Sequence, residues 1–121
     1  MIYIGNDIVE VNRIKESIQS HGKKFIEKIF TKEEIEFCEK RTVPEIHYAG
    51  RFAAKEAVKK AVLAMDFNTE LTLKNIQVSR KENRPPTVSI VGNSKNPDLQ
   101  IQLSISHTDK YASAVALVSS K

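Results

Sequence analysis

The chain has 121 residues, a length that suits one domain over residues 1–121 with a single hydrophobic core. Hydrophobic residues make up 40% and charged residues 28%, which is typical of a soluble globular protein. The single cysteine excludes an internal disulfide, and the net charge of +4 favours an anionic partner: a nucleic acid, a phosphate ligand, a membrane surface or an acidic protein.

The first segment, MIYIGNDIVEV, has the composition of a strand. Gly5 within it indicates either a bulge or a close approach of another backbone. Asp7 and Glu10 interrupt the apolar run that a signal peptide needs, and no stretch of the chain is long and apolar enough to span a membrane. We therefore expect a cytoplasmic protein with no membrane partner.

Helix signals follow the first strand. Asn12 is the predicted N-cap and Gly22 the predicted end of the first helix, while Thr31 and Glu34 have the spacing of a capping box. Pro44 opens the longest helix, which extends to about residue 65. Three short helices are predicted before it, at residues 12–19, 23–30 and 31–41.

Beyond residue 67 the pattern changes to strands separated by the turn-like segments KENRPP and NSKNPD. The predicted strands are LKNIQVSR, PTVSIVG, LQIQLSISH and YASAVALVSS. The last two are joined by HTDK, which is short enough for a hairpin. The order of elements predicts an α+β fold with a mostly antiparallel sheet packed against one long helix and several short helices.

The middle of the long helix, RFAAKEAVKKA, carries two charges on an apolar face. On a helical wheel Glu56 and Lys60 share the stripe that we expect to face the core, formed by Ala49, Phe52, Ala53, Leu63 and Ala64. At positions i and i+4 the two charges can form an exposed surface pair. Alternatively the stripe lines a cleft, where the carboxylate holds a hard cation and the ammonium holds phosphate.

Polar side chains also stand within or at the end of two strands. Asp7 is either the residue at which the first strand ends or, with Glu56, half of a magnesium pair, since Mg²⁺ commonly takes one or two carboxylates and completes its shell with water and phosphate. Ser104 and Ser106 share one strand face, and His107 stands at the strand end. These groups can cradle phosphate, or His107 is simply solvated.

Basic residues cluster near the N-terminus: Arg13, Lys15, Lys23, Lys24 and Lys28. Such a run is usually a solvated face, and the alternative is a docking surface for an acidic partner. His21 and His47 have no companions in the sequence, so we interpret both as surface residues. Cys38 is expected to pack in or near the core.

Three segments in this order, IGNDIVEVNRI, RFAAKEAVKKA and LSISHT, resemble the holo-acyl-carrier-protein synthases, the small single-domain class of 4′-phosphopantetheinyl transferase. The resemblance runs from residue 2 to the end at matching length. The three segments in this order are specific for the family, although no single segment is specific by itself. It implies transfer of the 4′-phosphopantetheine arm of coenzyme A to a serine of apo-acyl carrier protein, with release of adenosine 3′,5′-bisphosphate, in support of fatty acid biosynthesis.

The resemblance also implies roles for single residues. Asp7 and Glu56 would hold Mg²⁺, and Glu56 and Lys60 would act in catalysis. Arg13 would contact the acidic carrier protein, with the neighbouring lysines extending that surface. Such enzymes are homotrimers with active sites between neighbouring subunits. The residues implied in coenzyme A binding are Arg51, Lys60, Asn83, Arg84, Ser106, His107 and Thr108.

One departure from the family pattern lies in a turn. The family commonly has a Gly-Lys-Pro-type turn before its middle hairpin strand, and here residues 83–86 read Asn-Arg-Pro-Pro. The loss of glycine's conformational freedom argues against a backbone contact from this turn to the nucleotide. Arg84 can supply charge in its place.

Two other functions stay open on the residues alone. A basic nucleic-acid-binding module without catalysis would explain the net positive charge, but it leaves the carboxylates Asp7 and Glu56 unexplained because carboxylates repel phosphates unless a cation intervenes. A two-carboxylate, metal-dependent phosphodiesterase would cleave coenzyme A without an acceptor. The transferase interpretation, which has no nucleic-acid partner, accounts for all the motifs together.

Overall fold

The computed structural model describes residues 1–65, 70–92 and 98–121. It confirms the predicted α+β order of one strand, then helices, then strands. The helices are α1 (Val11–His21), α2 (Lys23–Ile29), α3 (Lys32–Glu39) and α4 (Pro44–Ala64). The strands are β1 (Tyr3–Glu10), β2 (Ile76–Ser79), β3 (Thr87–Ile90), β4 (Leu99–His107) and β5 (Tyr111–Ser120), with a 3₁₀ turn at Leu73–Asn75. The predicted NSKNPD turn lies largely outside the described residues.

Local signals fixed most helix ends. Gly22, at φ 54°, ends α1, and its N–H donates to the Ile18 carbonyl oxygen. The capping box is present: the Thr31 N–H donates to Glu34 Oε1 at 2.8 Å, and the Glu34 N–H donates to Thr31 Oγ1 at 3.3 Å. The Asn12 cap is wrong, because the helix starts one residue earlier, directly from β1. None of the helices in the described ranges is both long and apolar enough to cross a bilayer.

The larger sheet is antiparallel, with strand order β1-β5-β4, and β2 and β3 form a separate antiparallel pair. The predicted hairpin between the last two strands is confirmed. Small side chains on the inner face of β5 let α4 lie close across the sheet: Ala112, Ala114, Ala116 and Val118.

Gly5 is the point of closest approach between β1 and α4. A Cβ atom at this position would lie 1.8 Å from the carbonyl oxygen of Ala57 and 2.8 Å from the backbone nitrogen of Ala61. Gly5 keeps regular register with Ala116 on β5, so the close approach and not a bulge explains the glycine. Two residues further along the same face of β1, Asp7 is also turned towards α4.

The outer face of the large sheet carries exposed apolar side chains. On β1, Ile4 and Ile8 are 65% and 68% exposed, and Val115 on the neighbouring β5 is 45% exposed. Exposed apolar side chains grouped on one sheet face commonly mark a surface that another molecule covers.

The burial predicted for α4 was wrong in two respects. Leu63 is 58% exposed and Ala64 is also exposed, although both were placed in the core-facing stripe. The cation that α4 buries completely is Lys55, whereas the side chain of Lys60 is 52% exposed. Because α4 buries most of its circumference, a wheel that seeks one apolar stripe does not fit it.

A buried ion pair ties α4 to the small sheet. Lys55 Nζ lies 2.6 Å from Glu34 Oε1, and both side chains are fully buried. The carboxylate also accepts a hydrogen bond from the Val78 N–H of β2 at 2.8 Å. Burial lowers the pKa of Lys55, and the charge of Glu34 opposes that shift. The ammonium further donates to the backbone carbonyl oxygens of Ile29, Leu73 and Ile76, at 3.0, 3.0 and 2.7 Å.

Candidate active site

Three carboxylates, Asp7, Glu10 and Glu56, line a cleft of about 440 Å³ between β1, α1 and α4, which we call the carboxylate cleft. Asp7 reaches it from β1 and Glu56 from α4. Arg13 of α1 lines the same cleft, and Phe25 and Phe52 contribute an apolar wall. The predicted proximity of the two carboxylates is therefore realised in one chain.

Lys60 pairs with Asp7 and not with Glu56. Its ammonium donates to Asp7 Oδ1 at 3.0 Å and to the Asn6 carbonyl oxygen at 3.1 Å. The Asp7 side chain is 16% exposed. Within the described part of the chain Glu56 has no ion-pair partner. The cation predicted beside Glu56 thus bridges α4 to β1.

The donor set of the carboxylate cleft fits a hard divalent cation. The predicted pair, Asp7 and Glu56, supplies oxygen ligands of the kind that Mg²⁺ prefers, and Glu10 lines the same cleft. Among the described residues no three His, Cys, Asp or Glu side chains gather at one point, so a bound Mg²⁺ would complete its shell with water and substrate oxygens. Asp7 and Glu56 therefore suit a magnesium ion that is shared with a phosphate ligand.

A second cleft, of about 460 Å³, is strongly basic, and we call it the basic cleft. The side chain of Arg51 is almost fully buried there, and its guanidinium stacks 3.8 Å from the ring centroid of Phe37. Burial lowers the pKa of Arg51. Its Nε is buried without a hydrogen-bond partner among the described residues. A buried donor without an acceptor is costly, so this group is suited to an anionic ligand. The other charged residues of the cleft are Arg41, Arg80, Lys81 and Glu82.

The two clefts lie on different sides of α4. His47 lines the basic cleft and Glu56 the carboxylate cleft. They are nine residues apart, which at about 100° per residue places them on opposite sides of the helix. The two residues that flank the β4–β5 turn also lie in different clefts. His107, at the end of β4, lines the basic cleft, and Tyr111, at the start of β5, lines the carboxylate cleft. One chain therefore carries the predicted carboxylates and the predicted Arg51 in two different clefts.

The sequence profile of the 4′-phosphopantetheinyl transferase superfamily matches residues 3–116. The chain belongs to this superfamily. Its relatives include the holo-acyl-carrier-protein synthase of Protochlamydia amoebophila (strain UWE25), which is 40% identical over an alignment of 124 positions that covers 97% of each chain. The enzyme of the same name from Chlamydia pneumoniae is 38% identical, over 97% of this chain and 96% of that one. The resemblance seen in three sequence segments is confirmed.

Solved structures agree with this assignment. The Chronobacterium ammoniagenes ACPS–CoA complex superposes with a TM-score of 0.86 at 25% identity, over 100% of this chain and 98% of that one. The Helicobacter pylori holo-acyl-carrier-protein synthase in complex with coenzyme A has a TM-score of 0.78 at 32% identity, over 96% and 99% of the two chains.

The turn after β2 keeps the backbone conformation that a glycine would favour. Asn83 adopts φ 60°, and it is the one non-glycine residue with positive φ in the described ranges. Asparagine enters this region more readily than most residues, so the replacement of glycine in this transferase does not remove the conformation. Asn83 lines the basic cleft. Arg84 points elsewhere, into a separate cleft of about 710 Å³ that it shares with Arg80 and Pro85.

Ser106 and Thr108 of the transferase line neither of the two clefts. Ser104 and Ser106 share the exposed face of β4, as predicted, whereas Ile105 and His107 border the basic cleft. Thr108 has a structural role, because its hydroxyl oxygen accepts hydrogen bonds from two backbone N–H groups of the hairpin turn. Ser106, His107 and Thr108 were predicted to bind coenzyme A with Arg51. Of these three residues, only His107 lines the same cleft as Arg51 within one chain.

The interpretation of His47 as an isolated surface residue is wrong. Its ring is half-buried and lies 6.0 Å from the Phe37 ring and 5.9 Å from the His107 ring, centroid to centroid. The sequence could have predicted that His47 lies beside Arg51, because a spacing of four residues puts both side chains on one helix face. His21 is exposed, as predicted. Arg41 and Phe37, which also line the basic cleft, had no signal in the sequence pattern.

The predicted docking residues of the transferase are all exposed: Arg13, Lys15, Lys23, Lys24 and Lys28. They belong to α1 and α2. Arg13 also borders the carboxylate cleft, so the basic surface continues to the edge of the site.

Proposed function

We propose that the chain is a holo-acyl-carrier-protein synthase. It transfers the 4′-phosphopantetheine arm of coenzyme A to a serine of apo-acyl carrier protein and releases adenosine 3′,5′-bisphosphate, in support of fatty acid biosynthesis. The observation that carries this proposal is the pair of clefts. Asp7 and Glu56 line one and Arg51 the other, in a chain whose relatives bear that name and whose similar solved structures include two complexes with coenzyme A.

Asp7 and Glu56 would hold the magnesium ion. When bound, Mg²⁺ offsets the diphosphate charge and makes the phosphorus under attack more electrophilic. No nucleophile is required from this chain, because the attacking hydroxyl belongs to the carrier's serine. Glu56 carries no ion pair in the described residues, so its carboxylate is available to receive the serine proton, directly or through a water molecule.

The transfer exchanges one phosphorus–oxygen bond for another. The serine oxygen bonds to the phosphorus that bears the pantetheine arm, while the bond from that phosphorus to the bridging diphosphate oxygen breaks. Glu56 takes the hydroxyl proton, and Lys60 neutralises the leaving oxygen of adenosine 3′,5′-bisphosphate. Lys60 is 3.0 Å from Asp7 and half-exposed, so it can turn from the carboxylate to the phosphate. Electrostatic stabilisation of the spread phosphoryl charge would supply most of the rate enhancement.

The basic cleft would hold the nucleotide end of coenzyme A. Arg51 offers a buried guanidinium whose Nε has no partner among the described residues. His107 and Asn83 line the same space. A phosphate oxygen would satisfy the unpaired donor and would be retained by a charge-assisted hydrogen bond.

A complete site would form between subunits of a homotrimer. A single chain holds its two clefts on opposite sides of α4, so a ligand that needs both must take them from two neighbouring chains. Pairing two different surfaces is a heterologous contact, which forms a ring when the rotation between neighbouring subunits closes. The exposed apolar face of β1 and β5, where Ile8 is 68% exposed, would be covered in such an assembly. The number three follows from the family resemblance.

The carrier protein would dock on the basic surface of α1 and α2. Acyl carrier proteins are acidic, and complementary charge steers such encounters. Each exposed pair contributes only about 0.2 to 1 kcal/mol. Arg13 would have the largest effect, because it lies at the edge of the carboxylate cleft and can orient the serine towards Glu56.

The decisive experiment incubates the protein with coenzyme A, magnesium and apo-acyl carrier protein and measures the mass of the carrier. A gain equal to one phosphopantetheine arm is expected, and the same mixture with Glu56→Gln should show none. Cleavage of coenzyme A without any carrier would instead identify a phosphodiesterase. Metal-independent, salt-sensitive binding of oligonucleotides without transfer would identify a nucleic-acid-binding module.

A further inference from the structure

His47 occupies the basic cleft with a set of contacts that the proposed reaction does not use. Its ring packs edge-on against Phe37 and against His107. The ring of Phe37 also carries two guanidiniums, those of Arg41 at 3.9 Å and Arg51 at 3.8 Å from its centroid. Two fixed cations and one imidazole are therefore gathered around the Phe37 ring, and a second imidazole, His107, packs against the first.

The charges that face His47 come from every element around the cleft. α4 contributes the buried Arg51, the segment after α3 contributes Arg41, and β4 contributes His107. The segment after β2 adds two cations and a single carboxylate: Arg80, Lys81 and Glu82. Four permanently cationic side chains against one carboxylate leave the cleft strongly positive when it contains no ligand.

This surrounding disfavours a charged imidazole. Burial lowers the pKa of His47, and the neighbouring Arg51, His107, Arg41 and Arg80 lower it further. A phosphate dianion in the same cleft would offset most of this positive charge and would accept a hydrogen bond from an imidazolium. The charge of His47 thus depends on whether an anion is bound.

We propose that His47 is a binding residue of the basic cleft that takes up a proton when the phosphate groups of a nucleoside bisphosphate bind there. The inference rests on the proposed function, in which the nucleotide end of coenzyme A occupies this cleft. It adds a consequence that the function alone does not require: affinity for the ligand rises as pH falls.

The sign follows from linkage. An anionic ligand raises the pKa of His47 above its value in the free protein, so between the two values binding consumes a proton and affinity increases with each step towards acid pH. Below the free value the ring is charged in both states, and above the bound value it is neutral in both; His47 then adds no pH dependence. One linked proton changes the dissociation constant at most about tenfold per pH unit.

Imidazole NMR of the wild-type protein tests this directly. The chain has three histidines, His21, His47 and His107, so their ring resonances can be assigned from single substitutions. They are titrated over roughly pH 5 to 8, the range of imidazole titration, with and without adenosine 3′,5′-bisphosphate. The midpoint of His47 should move to higher pH when the ligand is present, while that of the exposed His21 stays unchanged. A midpoint that is the same with bound ligand would overturn the proposal.

Calorimetry of ligand binding in buffers of different protonation enthalpy supplies the number of protons taken up. The ligand's own phosphates titrate in this range, so the informative quantity is the difference between wild type and His47→Phe, in which a ring still packs against Phe37. The variant should take up fewer protons and show a flatter pH dependence, and His47→Gln should do the same. His21→Asn is the matched control and should behave as wild type. Equal proton uptake in His47→Phe and wild type would refute the proposal.

Failure of the proposed function looks different from failure of this inference. If neither adenosine 3′,5′-bisphosphate nor coenzyme A produces binding heat or shifts any protein resonance at any pH, the basic cleft is not a nucleotide site. If both ligands bind and the His47 resonance does not respond, the cleft is a nucleotide site and His47 is only a packing residue.

Discussion

Replacing Lys55 by methionine should destabilise the fold by about 3–5 kcal/mol, the usual cost of removing one partner of a buried ion pair. Methionine keeps much of the volume of the side chain but no charge. Glu34 would then remain fully buried with its nearest cation gone, from 2.6 Å away. The carbonyl oxygens of Ile29, Leu73 and Ile76 would each lose a charged donor.

The magnitude is a balance of opposing terms. Hydrogen bonds to charged groups contribute about 1.5–3 kcal/mol each, so the lost contacts would sum to more than the expected effect. Removing the ammonium also removes its own desolvation cost, which offsets part of that loss. At this chain length the net change corresponds to a fall in Tm on the order of 10 to 20 °C.

Urea unfolding followed by circular dichroism measures the effect, with all variants at one protein concentration because assembly would contribute to stability. Lys60→Met is the matched control: it removes a half-exposed lysine from the same helix, and its pair with Asp7 should be worth at most about 1 kcal/mol. Glu34→Gln added to Lys55→Met should recover part of the loss by removing the stranded charge. If the two lysine variants unfold at the same urea concentration, the buried pair does not stabilise this fold.

Further outcomes follow from the site and from the core. Asp7→Ala and Glu56→Gln should each abolish transfer while circular dichroism stays native, and near-normal turnover in both would exclude the metal role. Arg13→Glu should raise the apparent KM for the carrier, as should added salt, which screens charges over roughly 10 Å at 0.1 M; weaker coenzyme A binding with unchanged carrier affinity would move Arg13 to the nucleotide pocket. Light scattering should give three times 13.7 kDa, and a fully active monomer would contradict the assembly. Burial raises the pKa of the Cys38 thiol to about 12 from an ordinary value of 9.0. The native protein should therefore resist alkylation near pH 8, and the contribution of Cys38 to stability should be lost as pH rises from about 9 towards 12; rapid labelling of the folded chain would contradict this.

Local signals predicted much of the fold. Turn and cap geometry depend on a few neighbouring residues, which is why Gly22, the Thr31–Glu34 capping box and the start of α4 at Pro44 were found correctly. The same reasoning failed for Asn12, because β1 runs directly into α1. The N–H of Val11, the first residue of α1, donates a hydrogen bond to the Lys110 carbonyl oxygen, and a contact between such distant segments is not visible in the local sequence.

The candidate site was only partly predictable for the same reason. Asp7 and Glu56 stood out because each is a carboxylate within an apolar element, and they do share a cleft. A helical wheel of α4 cannot show that Lys55, and not Lys60, is the buried cation. The ion-pair partner of Lys55 is Glu34, which lies on another helix. The role of His47 depends on β4 ending beside α4, which no single segment reveals.

The position of the two clefts on opposite sides of α4 has a consequence for mixtures of defective chains. If every reaction centre borrows its carboxylates from one chain and its guanidinium from the next, a chain that lacks Glu56 still offers an intact basic cleft, and a chain that lacks Arg51 still offers intact carboxylates. Two inactive proteins would then restore each other when they assemble together, because some of the mixed interfaces combine both undamaged halves. Inheritance of two different loss-of-function alleles in one cell would leave part of the activity in place.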